Sequence, residues 1–102
     1  MKTDNFVDIS EVLDSLRSVK SQEEIELIRK GTHIADVGGY ALVDVLEEGK
    51  TEMEVSGVSL LAMEKEYAKV FPGLETFGTL FYCNSGENTL YCHGGSRDSL
   101  LP

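Results

Sequence analysis

Two helix-start signals constrain this chain more than anything else in it. Ser21-Gln22-Glu23-Glu24 and Thr51-Glu52-Met53-Glu54 each set a hydroxyl residue three positions before a glutamate. That spacing is a capping box: the hydroxyl oxygen accepts from the glutamate's backbone N–H, and the carboxylate reaches back to the cap N–H. Behind the first box, Glu23, Glu24 and Glu26 suit the positive end of a helix dipole. Ile28, Gly31, Ala35, Gly38, Leu42 and Val45 then recur at three- and four-residue steps, a stripe that buries one face. Its middle is narrow, and each helical glycine costs about 1 kcal/mol against alanine. A neighbouring backbone is therefore expected to pack close there. Gly49 supplies a left-handed stop. The second box opens another helix, with Val55, Val58, Leu61 and Ala62 on its buried side and Pro72-Gly73 ending it. The short Gly49-Lys50 connection makes the two helices antiparallel neighbours.

The remaining segments are shorter. Residues 1–6 read as a tail, and a short helix follows, capped by Asp8 or Ser10, with Ile9, Val12, Leu13 and Leu16 at helical spacing. Past Pro72-Gly73 the period changes. Residues 77–83 are aromatic and apolar and bounded by turn formers, which predicts a strand; 84–88 form a turn and 89–93 a second short strand. The expected fold class is α+β: two long antiparallel helices and a short one packed on a small antiparallel sheet. Two strands alone are marginal, so a sheet edge is left open for a further segment or a second copy.

With 102 residues the chain holds one core. Its net charge of −9 argues against a nucleic-acid or anionic-membrane partner, because phosphate binding needs a basic footprint. No run approaches the roughly 20 apolar residues that span a bilayer, and the start lacks an apolar signal core, so a cytoplasmic location is expected. Cys83 and Cys92 are then expected to be reduced.

His93 is the candidate reactive group. It stands at a strand end beside Gly94-Gly95, and an imidazole titrates near neutrality, which suits proton transfer. His33, inside the long helix, reads as a surface or half-buried side chain. Cys83, Cys92, His93 and His33 have no usual zinc spacing, and no nucleophile elbow or phosphate-loop motif occurs. No metal and no cofactor are expected from these residues.

Several stretches carry a family resemblance. Residues 16–25, Leu27-Ile28-Arg29-Lys30-Gly31 and Ile34-Ala35-Asp36-Val37-Gly38-Gly39 resemble the opening of the creatinase-type catalytic domain, as do Glu52-Met53-Glu54-Val55 and Ser85-Gly86-Glu87-Asn88-Thr89 followed by His93. The wider family, the "pita-bread" hydrolases, includes prolidases, aminopeptidase P and methionine aminopeptidases. The resemblance implies that 16–102 form the first half of a catalytic domain, behind an N-terminal stretch at 1–15. It also implies that His93 is the pocket acid/base. The implied chemistry is metal-free hydrolysis of a C–N bond in a small guanidino substrate, creatine, to sarcosine and urea. The metallopeptidase branch, acting on X-Pro bonds, is the alternative; its metal ligands lie further along than Pro102. A non-catalytic, self-associating module is a third reading, and an oligomer of identical chains is expected. Leu90-Tyr91-Cys92 and Gly94-Gly95 depart from the family pattern, which has small residues before this histidine and Asn-Pro after it. With only half the active site, the chain alone is expected to be inactive or nearly so.

Overall fold

The Ser21 hydroxyl accepts from the Glu24 N–H at 3.2 Å, and the Glu24 carboxylate takes the Ser21 N–H at 2.7 Å. At the second box Thr51 accepts from the Glu54 N–H at 3.1 Å and donates its own N–H to Glu54 at 2.8 Å. Both boxes therefore form as the spacing requires, and each opens a long helix. The computed structural model describes residues 7–75 and 81–102. It contains α1 (Ser10–Ser18), α2 (Gln22–Val45), α3 (Glu52–Val70) and a 3₁₀ turn, Gly86–Leu90. The tail expected at 1–6 and residues 77–80 of the expected first strand lie outside the described residues.

Helices α2 and α3 form an antiparallel hairpin. Contacts run in opposite directions along the two: Gly38 meets Ser59 and Met63, His33 meets Glu66, and Lys30 lies over the Phe71 ring. Gly49, at φ +84°, makes the reversal between them, and Gly73, at φ +81°, follows the end of α3. Both conformations favour a residue without Cβ.

The buried seam is Ile34 and Gly38 on α2 against Val55 and Ser59 on α3. At its centre the Ser59 hydroxyl donates to the Gly38 carbonyl at 2.8 Å, so the close approach expected along α2 occurs at Gly38. Gly31, Ala35 and Gly39 are not part of it. Gly31 and Ala35 are exposed, and a Cβ at Gly31 or Gly39 would meet nothing within 4 Å. The stripe is thus rotated from the expected one, to Ile34, Gly38, Leu42 and Val45. On α3, Val55 is buried and Ala62 half-buried as expected, but Val58 and Leu61 face outward. Helix α1 buries no residue, and Val12, Leu13 and Leu16 are exposed.

The expected sheet does not form. Among the described residues there is no strand, and the single β-bridge pairs Thr51 with Leu100. Residues 89–93, expected as a strand, are the end of the 3₁₀ turn and an exposed reversal. Two strand backbones must exchange N–H and C=O groups, and here the Cys83 N–H donates to the Ser96 hydroxyl and the Tyr91 N–H to Asn88 O within the 3₁₀ turn. The N–H of Ser85 and the N–H of Arg97 both donate to the Glu52 side chain. The backbone of 97–101 runs along 49–53 instead: Met53 N–H donates to Arg97 O, Glu52 N–H to Ser99 O, Leu101 N–H to Lys50 O and Gly49 N–H to Leu101 O. The first turn of a helix leaves its N–H groups without intrahelical partners, and the C-terminal segment supplies two of them. Leu101 is buried by this docking.

Candidate functional site

Glu52 is the first residue of α3, and its side chain is completely buried. One carboxylate oxygen accepts the Ser85 N–H at 2.6 Å and the Ser85 hydroxyl at 2.9 Å; the other accepts the Arg97 N–H at 3.0 Å. The Asn88 amide donates to both oxygens at 3.1 Å and also to the Ser99 hydroxyl at 3.0 Å. Burial pushes the Glu52 carboxyl up, but the donors from Asn88, Ser85 and Arg97 outweigh it and hold the carboxyl down at about 2. A carboxylate that accepts several hydrogen bonds is held in its charged form.

This cluster shapes the loop that carries His93. Within it the Gly94 N–H donates to Tyr91 O at 2.9 Å, the Asn84 amide donates to Gly94 O at 2.9 Å, and the Cys83 N–H donates to the Ser96 hydroxyl at 3.0 Å. A Cβ on Gly94 would stand 3.2 Å from the Tyr91 Cβ, so the turn beside His93 leaves little room for a side chain. His93 itself is exposed, at the rim of a shallow, solvent-open depression of ≈ 440 Å³ bounded by Leu90, Tyr91, Cys92, His93, Gly94 and Arg97. The Arg97 guanidinium lies 5.5 Å from the centre of the Tyr91 ring, within cation–π range. The depression thus offers an imidazole, a guanidinium and an aromatic face.

The other sequence candidates lie elsewhere. His33 is exposed, and its Nε2 is 3.1 Å from Glu66, whose other oxygen takes Lys69 at 2.6 Å. Those two partners, Lys69 first and then His33, lower the Glu66 carboxyl although burial opposes them. The pair ties α2 to α3 and is remote in sequence from the His93 loop. Cys83 and Cys92 are free thiols, the first half-buried and the second exposed. Burial, and then the Glu52 charge, raise the Cys83 thiol. Among the described residues no group of three His, Cys, Asp or Glu side chains is placed to hold a metal ion. No helix among them is long and apolar enough to cross a membrane.

Glu52 escaped the sequence analysis because a glutamate in a first helical turn reads as a solvated partner of the helix dipole. The available signal was Ser85-Gly86-x-Asn88. It places two side-chain donors three residues apart, which one 3₁₀ turn brings to the same side.

The sequence has curated relatives. Creatinase of Bacillus sp. is 41% identical over 96 residues, which cover 94% of this chain and 23% of that protein. Xaa-Pro dipeptidases of Pyrococcus furiosus and Pyrococcus horikoshii are 36% and 33% identical over 98 residues, 94% of this chain and 26% of each enzyme. Over nearly its whole length the chain is similar to creatinase and to Xaa-Pro dipeptidases. It spans about a quarter of the length of the curated relatives it matches. No family model matches it. The matched residues take in the helical hairpin, and the motif Ser85-Gly86-Glu87-Asn88-Thr89 acquires a physical role. Ser85 and Asn88 bind the Glu52 carboxylate, while the Thr89 hydroxyl closes the turn on Gly86 O at 2.7 Å.

Proposed function

We propose that this chain forms part of the pocket of a creatinase-like hydrolase, in which His93 is the general acid/base for cleaving a C–N bond in a small guanidino compound such as creatine. The observation that carries the reading is an exposed imidazole on a tethered loop, in a sequence 41% identical to a creatinase. For hydrolysis of creatine to urea and sarcosine, His93 would move the proton between the attacking water and the departing nitrogen. Arg97 stands at the same depression, where a substrate carboxylate would find a partner.

Proton transfer without a positioned substrate accelerates little, because geometry supplies much of the rate. The surface agrees with an incomplete pocket. The accessible area is 8370 Å², whereas a folded monomer of this mass exposes about 5,700 Å². Leu27, Ile28, Val43, Val58 and Leu61 are among the apolar side chains left open. Apolar side chains this open are what a further body of protein would cover. The chain alone is therefore expected to turn over no measurable creatine.

The decisive experiment replaces the matching stretch of the Bacillus sp. creatinase with this chain. The chimera should release urea from creatine, and His93→Ala should lower kcat by about 10²–10⁴. An active chimera indifferent to His93→Ala would refute the assignment. The runner-up is a metallopeptidase role, favoured by the two Xaa-Pro dipeptidase relatives. The same chain placed in the Pyrococcus furiosus dipeptidase should then restore cleavage of an X-Pro dipeptide, while the creatinase chimera stays inactive.

A further inference from the structure

A single buried carboxylate joins both ends of the loop that presents His93. Ser85 lies before the histidine and Arg97 after it, and each donates its backbone N–H to a different oxygen of Glu52. Asn88, between Ser85 and His93, spans both oxygens. Glu52 is rooted at the start of α3, the helix whose Val55 and Ser59 form the buried seam. The path from the best-packed part of the molecule to the loop is thus one side chain long. Glu52 does not touch His93; among the described residues its donors are Ser85, Asn88 and Arg97.

We propose that Glu52 is the positioning residue for His93, holding the loop 85–97 in one arrangement so that the imidazole stands at the mouth of the depression. This rests on the reading of His93 as the proton carrier, and it adds a requirement that neither the charge nor the burial of His93 itself reveals. Both oxygens of the carboxylate are needed as acceptors. Glutamine at position 52 keeps the shape but turns one oxygen into an NH₂ donor, which then faces an N–H of Ser85 or Arg97. One end of the loop is released while the helix keeps its side-chain volume.

The test is solution NMR on the full chain, uniformly labelled, at neutral pH. In the unmodified protein the His93 ring should give a single set of Cε1–H and Cδ2–H signals. Its backbone should relax like α3 and unlike the fully exposed α1. In Glu52→Gln, amide exchange at Ser85 or Arg97, whichever meets the new NH₂, should accelerate by about tenfold or more, since a hydrogen bond to a charged acceptor is lost. The His93 ring signals should broaden or multiply, while amides of the Gly38 and Ser59 region keep their protection. Should Glu52→Gln unfold the hairpin as well, Ser85→Ala combined with Asn88→Ala keeps the charge and removes the side-chain donors. The same broadening at His93 is expected there.

The proposal is overturned if Ser85 or Arg97 loses protection while the His93 signals stay single and sharp. It is equally overturned if His93 in the unmodified protein is as mobile as α1. Neither outcome depends on turnover. A rigid, Glu52-dependent His93 that proves dispensable in the creatinase chimera would sink the catalytic reading and leave the tether intact.

Discussion

Gly38 and Gly39 are neighbours on one helix, yet alanine should act on them with opposite sign. In a helix interior alanine is worth about 1 kcal/mol over glycine, mostly through the entropy that glycine loses on folding. At Gly39 an added Cβ meets nothing within 4 Å, so Gly39→Ala should raise stability by about 0.5–1 kcal/mol. At Gly38 the same atom would lie 2.4 Å from Met63 Cγ, 2.6 Å from its Sδ and 3.0 Å from the Ser59 hydroxyl. Contacts that short force the helices apart or displace Met63, an overpacking cost of about 1–3 kcal/mol. Moving Ser59 also weakens its bond to the Gly38 carbonyl, worth about 1 kcal/mol. After the propensity gain, Gly38→Ala should destabilise by about 1–3 kcal/mol. Urea melts of both variants, followed by far-ultraviolet circular dichroism, measure the two values side by side. A Gly38→Ala protein as stable as Gly39→Ala would show that the α2–α3 seam does not close where described.

Acid should act through Glu52. Its carboxyl titrates at about 2 in the folded chain against an ordinary 4.5. The unfolded chain therefore takes up the proton first. The stabilisation is complete above about pH 4.5 and is lost as pH falls through about 2. Urea midpoints measured between neutrality and acid should fall less steeply in Glu52→Gln than in the unmodified chain; parallel curves would contradict the described hydrogen bonds. Thr51→Ala removes the acceptor for the Glu54 N–H and should cost about 1 kcal/mol in the same assay. A chromogenic disulfide should label Cys92 before Cys83, because the thiolate is the nucleophile and Cys83 is half-buried with its thiol raised. Labelling in the reverse order would place the 81–85 backbone away from Glu52.

The hairpin was legible because its signals are local. A capping box needs only four residues, and Gly49 and Gly73 announce their turns by composition. Which side of α2 faces α3 was harder to read. Gly31 and Ala35 fit a helical stripe through Gly38 as well as Ile34 does, and small residues carry little hydrophobic weight to separate the two rotations. The 89–93 segment misled through its β-prone Thr89, Leu90 and Tyr91. Strand propensity is realised only when a partner strand takes the backbone groups, and in this chain the Tyr91 N–H goes to Asn88 O and the Cys83 N–H to the Ser96 hydroxyl. His93 could be named from its residue type and its resemblance. The tether behind it could not, because Glu52 and Arg97 are 45 residues apart and no periodicity links them.

The docking of 97–101 onto the head of α3 orders events in time. As the polypeptide leaves the ribosome, α2 and α3 are complete long before Leu101 emerges, and their hairpin can collapse on local contacts. The opening N–H groups of α3 must meanwhile rely on water, and Glu52 stays wet and titratable. Only when residues 97–101 arrive does the lock close over it. The portion of the chain with the most chemistry to offer accordingly takes its shape after the hairpin that holds it.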